Sequence, residues 1–108
     1  MVLAVLGLNH KTVSVDIREK FSISEESARE GLLHLSEQEG IKEAVVLSTC
    51  NRTEIYAVLK EEEDKEELYR FFLTLSGNSK AEKEYFFFYT GTECIRHLFR
   101  VGAALDSM

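Results

Sequence analysis

Apolar residues fall into two patterns along the chain, short continuous runs and stripes of helical spacing, with polar or turn-forming residues between them. Four runs predict strands: Val2 to Leu8, Ala44 to Leu47, Ile55 to Leu59, and the aromatic block Tyr85-Phe86-Phe87-Phe88-Tyr89. Each is short, rich in β-formers and bounded by polar residues. Ser14 to Phe21 predicts a helical turn or two. Ser22 and Ser24 ahead of Glu25-Glu26 are hydroxyl caps before acids that suit a helix dipole, and Ala28, Leu32 and Leu35 follow at helical spacing up to Gly40. The acidic run Glu61 to Glu67 opens into Leu68, Phe71, Phe72 and Leu75, an amphipathic helix closed by Gly77-Asn78. A last helix is predicted from Thr90 to about Asp106, with Ile95, Leu98, Phe99, Gly102 and Leu105 on one apolar stripe.

The order β-α-β-β-α-β followed by a helix fits an α+β, ferredoxin-like sandwich: an antiparallel four-stranded sheet with helices on one face, plus a C-terminal helix. The pattern shows no repeat, low-complexity tract or linker. The last stripe runs into Leu105-Asp106-Ser107-Met108 without a glycine stop or polar tail, so residues 1–108 are expected to be the N-terminal part of a longer enzyme.

Composition narrows the function classes. The 108 residues suffice for one compact domain, with 44% hydrophobic and 30% charged residues. Thirteen Lys and Arg against 19 Asp and Glu leave a net charge of −6, which argues against a free-standing nucleic-acid binder. Two cysteines, Cys50 and Cys94, make no disulfide framework and point to a reducing, cytoplasmic setting. Val2 to Leu8 is too short to span a membrane and lacks the flanks of a signal peptide. The six glycines are scattered and form no dinucleotide fingerprint, so any nucleotide cofactor must bind elsewhere.

The polar stretch Ser48-Thr49-Cys50-Asn51-Arg52-Thr53 between two buried runs holds the most informative candidates. A nucleophilic cysteine needs exposure and a nearby cation, which Arg52 supplies; the plainer reading of Cys50 is a small residue at a strand end. Thr49 and Asn51 add hydrogen-bonding side chains, and the Arg52 fork suits a carboxylate. Glu54, if turned inward, orients that guanidinium; otherwise it is a solvated position on an edge strand. His97 shares a helix face with Cys94 and Val101, where a half-buried histidine is the commoner outcome. Cys94 and His97 are too few ligands for a metal, so no metal site is expected. His10 and Lys11 stand in a loop after the first strand, while His34 reads as solvated. The aromatic block resembles a base-stacking strand, but its consecutive rings alternate between faces without interleaved cations, so it reads mostly as core.

The run Leu47-Ser48-Thr49-Cys50-Asn51-Arg52-Thr53-Glu54-Ile55-Tyr56 resembles the signature of the glutamyl-tRNA reductases. Gly7 to Thr12, Ile17 to Phe21, Arg96 to Val101 and Leu105 to Met108 resemble further stretches of that family; Ala104 departs from an expected glycine. The resemblance implies NADPH-dependent reduction of glutamyl-tRNA(Glu) to glutamate-1-semialdehyde through a cysteine thioester, the first step of tetrapyrrole synthesis from glutamate. It makes Cys50 the nucleophile and His97 a second catalytic residue. Thr49, Asn51, Arg52 and Ser107 become substrate contacts, with Arg52 the partner of the glutamate carboxylate. NADPH is expected on a domain outside these residues, and the implied partners are glutamyl-tRNA(Glu), a second copy in a homodimer, and glutamate-1-semialdehyde aminomutase. A continuous helix would hold His97 and Ser107 about 15 Å apart, so a break near Leu105 is expected. The grip on tRNA would come from outside this stretch or from a local cluster of Lys11, Arg18, Arg52, Arg96 and Arg100. The competing reading is a non-enzymatic ferredoxin-like module in which Thr49 to Arg52 binds an anion and Cys50 is incidental.

Overall fold

The computed structural model describes residues 1–103. Strands β1 (Val2–Leu8), β2 (Ile41–Ser48), β3 (Thr53–Leu59) and β4 (Phe86–Thr90) form one sheet in the order β2-β3-β1-β4. Every neighbouring pair is antiparallel. Helices α1 (Val15–Lys20), α2 (Glu25–Leu33) and α3 (Lys65–Leu75) lie between the strands, and α4 (Gly91–Gly102) follows β4. This is the α+β sandwich that the patterning predicts.

Local chemistry sets the boundaries. Ser14 and Ser24 cap α1 and α2, their hydroxyls accepting from the backbone N–H of Ile17 and Ser27. The acidic run adds a single 3₁₀ turn, Glu62–Asp64, before α3. Gly77, at φ 78°, takes the left-handed conformation that ends α3. Helix α4 ends at Gly102 with Ala103 as its C-cap, short of the Asp106 that the apolar stripe suggests. The expected break at Leu105 lies outside the described residues.

Strand alternation sorts the side chains onto two faces. Ala4, Leu6 and Leu8 of β1, Ile55, Ala57 and Leu59 of β3, and Phe86 and Phe88 of β4 pack with Phe21, Ile23, Leu68, Phe71, Phe72 and Leu75 into one apolar core. Phe86 meets Tyr69, Phe72 and Phe21 edge-on at centroid separations of 5.3, 5.1 and 5.7 Å. Each fully buried side chain of this size contributes about 1.5–3 kcal/mol relative to exposure, so this face carries the fold.

Helix α4 covers the opposite face, and with a different side than its apolar stripe suggests. Cys94 and His97 are buried, whereas Ile95, Leu98 and Phe99 are 42%, 45% and 71% exposed. The residues beneath it explain the choice. One row across the sheet reads Leu47, Glu54, Gly7, Phe87, and the next reads Val45, Tyr56, Val5, Tyr89. A buried carboxylate under the helix calls for a hydrogen-bond donor, which His97 provides and Leu98 cannot.

Candidate active site

Thr49 to Arg52 closes the β2–β3 hairpin, with Cys50 and Asn51 at its tip. The Thr49 N–H donates to the Arg52 carbonyl at 2.7 Å, and the Thr49 hydroxyl oxygen accepts from the N–H groups of Asn51 and Arg52, both at 3.2 Å. The side chain of Thr49 therefore stiffens the turn, a usual task for threonine at such a position. This leaves Cys50 exposed as a free thiol on a short, hydrogen-bonded loop.

Thr49, Cys50, Asn51, Arg52 and Arg18 line one cavity of about 120 Å³ between this hairpin and α1. The sequence offered Arg18 only as a member of a basic cluster for tRNA; the structure places it beside Cys50. Its Nη1 donates to the His10 carbonyl at 3.2 Å, and its Nε is buried without a hydrogen-bond partner among the described residues.

Behind the hairpin, Arg52 turns inward. Its guanidinium is 2% exposed and bonds through Nη1 to Oε2 of Glu54, which is fully buried. The same carboxylate accepts from the Tyr56 hydroxyl at 2.8 Å and lies 2.8 Å from Nε2 of His97. A carboxylate only accepts, so Nε2 carries the proton and Nδ1 remains for proton exchange, the orienting logic of a catalytic histidine. The inward reading of Glu54 thus holds, and the solvated edge position does not: β3 is central in the sheet.

Gly7 makes room for this arrangement. A Cβ there would sit 2.7 Å from Phe87 Cζ and 2.8 Å from Glu54 Cγ. The His97 ring packs against Phe87, Tyr89 and Tyr56 at 4.8, 5.5 and 6.5 Å between centroids. Burial raises the Tyr56 hydroxyl above its ordinary range, and its hydrogen bond to Glu54 raises it further. The Cys94 thiol is likewise raised, by burial first and the Glu54 charge second, so it is a poor nucleophile.

The predicted residues divide accordingly. Thr49, Cys50, Asn51 and Arg52 meet in one cavity. His97 opens instead onto a neighbouring cavity of about 190 Å³ lined also by His10, Lys11, Phe87, Tyr89, Arg96 and Arg100. Glu54 joins the two, bonded to Arg52 on one side and His97 on the other. Ser107 lies outside the described residues. Among the described residues, no group of three or more His, Cys, Asp or Glu could hold a metal.

Comparison with known proteins shows the family. Residues 6–108 match the family model described as glutamyl-tRNAGlu reductase, N-terminal domain. The chain is 45% identical to the glutamyl-tRNA reductase of Desulforudis audaxviator, covering all of this chain and 24% of the relative. It is 44% identical to that of a Synechocystis species, covering all of this chain and 26% of the relative. Among solved structures, the glutamyl-tRNA reductase from Methanopyrus kandleri superposes with a TM-score of 0.71 at 30% identity, over 98% of this chain and 23% of that one. The chain thus spans about a quarter of the length of these relatives. By sequence and by fold, this chain belongs to the glutamyl-tRNA reductase family.

Proposed function

We propose that these residues carry the acyl-transfer site of a glutamyl-tRNA reductase, with Cys50 as the acceptor. The observation that supports this most is an exposed thiol on a rigid hairpin tip, sharing a small cavity with two arginines. The Cys50 thiol attacks the glutamyl ester carbonyl. A C–S bond forms, the ester C–O bond breaks, and the 3′-oxygen of tRNA leaves with the proton given up by the thiol. The product is a thioester, whose carbonyl is less resonance-stabilised than an ester and accepts hydride more readily. Arg18 lines the cavity, beside Glu19, and suits the glutamate side-chain carboxylate, while Arg52, held inward by Glu54, supports the hairpin from behind. Thr49 fixes the turn, and Asn51 offers its amide beside the thiol. His97, held by Glu54 through Nε2, presents Nδ1 as the group that exchanges the proton with the departing RNA oxygen.

In the family reaction NADPH supplies the hydride that reduces the thioester to glutamate-1-semialdehyde, for tetrapyrrole synthesis. The described residues do not fit that cofactor. A dinucleotide cradle needs parallel strands joined through a glycine-rich turn, and this sheet is antiparallel throughout. The hydride step is therefore assigned to none of these residues. A homodimer, delivery of the aldehyde to glutamate-1-semialdehyde aminomutase, and a cytoplasmic setting follow from the family resemblance. Among the described residues, no helix is long and apolar enough to cross a membrane.

The test is acyl trapping in the full chain with glutamyl-tRNA labelled on its glutamate. Cys50→Ala should abolish the covalent label and lower reductase turnover by at least about 1,000-fold, while Cys94→Ala keeps the label. Persistent labelling of the Cys50→Ala protein would assign the chemistry elsewhere and favour the anion-binding module.

A further inference from the structure

Tyr56 is a half-buried titratable group to which the acyl-transfer reading gives no task. Arg52, Glu54 and Tyr56 fall at alternate positions, so their side chains stand in a row on one side of β3. The Glu54 carboxylate at the centre of that row divides its partners unevenly. Oε2 accepts from both Arg52 Nη1 and His97 Nε2, the latter at 2.8 Å, while Oε1 accepts from the Tyr56 hydroxyl at 2.8 Å. A carboxylate has two oxygens and about four lone-pair sites, so nothing in the group itself obliges Arg52 and His97 to share one oxygen. Its terminal torsion is soft, so the plane of the group is set by whatever holds its oxygens. The Tyr56 hydroxyl is such a hold: it occupies one oxygen and leaves the other to both nitrogens.

The surroundings of Tyr56 add to this. Its cross-strand neighbours, Val5 and Val45, carry no polar side-chain atom, and the hydroxyl reaches along its own strand to Glu54 instead. The ring lies beside the His97 imidazole, with centroids 6.5 Å and planes 31° apart. One side chain thus flanks the imidazole and ties down its acceptor. Burial and the bond to Glu54 both favour the protonated phenol, so it remains a donor at neutral pH.

We propose that Tyr56 is a positioning residue of this site: its hydroxyl holds Oε1 of Glu54, so that Oε2 ties the His97 imidazole to Arg52 at the base of the Cys50 hairpin. The inference rests on the acyl-transfer reading and adds the group that keeps Nδ1 of His97 in register with the thiol. Tyr56 lines neither the Cys50 cavity nor the His97 cavity, so its hydroxyl serves the chemical step and not the binding of substrate.

The experiment follows single-turnover acylation of Cys50 in the full chain against the concentration of glutamyl-tRNA. Tyr56→Phe keeps the ring and should lower the saturating rate roughly 10- to 100-fold, with the half-saturating concentration within about twofold of the unaltered protein. Tyr69→Phe removes a different hydroxyl, which donates to the Ala81 carbonyl at 2.9 Å beside the apolar core, and should change neither quantity. In a His97→Ala background, Tyr56→Phe should cause no further loss, because it acts through the imidazole. The NMR signal of the proton on His97 Nε2 should move, or vanish through exchange, in Tyr56→Phe and stay in place in Tyr69→Phe. An unchanged saturating rate in Tyr56→Phe overturns the proposal, as does an equal loss in the His97→Ala background. Equal slowing in Tyr69→Phe makes the effect one of general stability, and a loss carried wholly by the half-saturating concentration makes Tyr56 a substrate contact; each overturns it as well. Absence of a Cys50 adduct in the unaltered protein brings down the acyl-transfer reading instead, and the kinetic role of Tyr56 falls with it. The His97 signal then still shows by itself whether the hydroxyl holds the imidazole.

Discussion

On the sheet face under α1, α2 and α3, Leu6, Leu8, Ile55 and Leu59 meet Leu68 and Phe72 in a cluster of hydrocarbon and aromatic side chains. On the face under α4, the corresponding positions hold Glu54, Tyr56, Phe87 and Tyr89, closed over by His97 and Cys94. Both faces bury side chains completely at their centres, since Phe72 and Glu54 alike are 0% exposed. They do so at very different electrostatic cost. Burying hydrocarbon is favourable, whereas burying an ion pair is often no better than burying apolar residues of similar volume. The first face therefore accounts for the fold, and the second is better explained by what it positions: a guanidinium behind Cys50 and an imidazole in the adjoining groove.

The largest effects should expose that difference. Phe72→Ala removes a ring from the apolar face and should cost about 3–5 kcal/mol. Glu54→Leu removes the carboxylate beside a buried guanidinium and should cost a similar amount, about 3–5 kcal/mol. The two faces part when whole groups are exchanged. Replacing Arg52, Glu54 and His97 together by Met, Leu and Phe should recover most of the stability lost in Glu54→Leu, while acyl transfer stays abolished. Urea unfolding of the three proteins measures this. A triple variant as unstable as Glu54→Leu alone would mean that the ionic cluster is itself a structural support.

The contrast also marks what could be read from the chain. Runs such as Val2 to Leu8 and Ile55 to Leu59, and caps such as Ser24, determine local structure through nearby residues alone, so strands, helices and their order were legible. The Cys50 hairpin was legible too, since its polarity stands out between two buried runs. Which side of α4 faces inward was not. Helical spacing shows that Ile95, Leu98 and Phe99 form a stripe, but the inward face is selected by Glu54, 43 positions before His97. Likewise Phe87 and Tyr89 were read as core because cations near them in sequence are lacking, whereas those near them in space come from Lys11, Arg96 and Arg100. Long-range pairing, rather than local pattern, built the parts that were missed.

A glycine on each side gives a middle-sized test. Gly7→Ala places a methyl 2.7 Å from the Phe87 ring and 2.8 Å from Glu54 Cγ, both held by neighbours across the sheet. Overpacking there should cost about 1–3 kcal/mol and weaken the Glu54–His97 contact. Gly31→Ala, in α2, meets the methyl end of Leu75 at 2.2 Å. A rotamer change in Leu75 relieves that contact, and the helix-propensity gain of up to about 1 kcal/mol offsets it. Thermal unfolding of the pair, with the His97 imidazole followed by NMR, checks both claims. A shift of the His97 signals in Gly31→Ala as large as in Gly7→Ala would show that the two faces are not independent.

The smallest effect should come from raising the pH. Tyr56 is held above its ordinary value by burial and by its bond to Glu54, so the unfolded chain releases that proton first. Below the ordinary tyrosine value of about 10 the hydroxyl is protonated in both states, and its contribution to stability is complete. Above it the unfolded state binds fewer protons than the folded one, so stability falls as the pH rises towards the folded value. Cys94 acts in the same direction, starting nearer the ordinary thiol value. Urea unfolding from pH 8 to pH 11 should therefore show a steeper decline in the unaltered chain than in Tyr56→Phe, which keeps the ring and lacks the proton. Parallel curves would mean that Tyr56 titrates alike in both states, and that the hydroxyl is not locked onto Glu54 in solution.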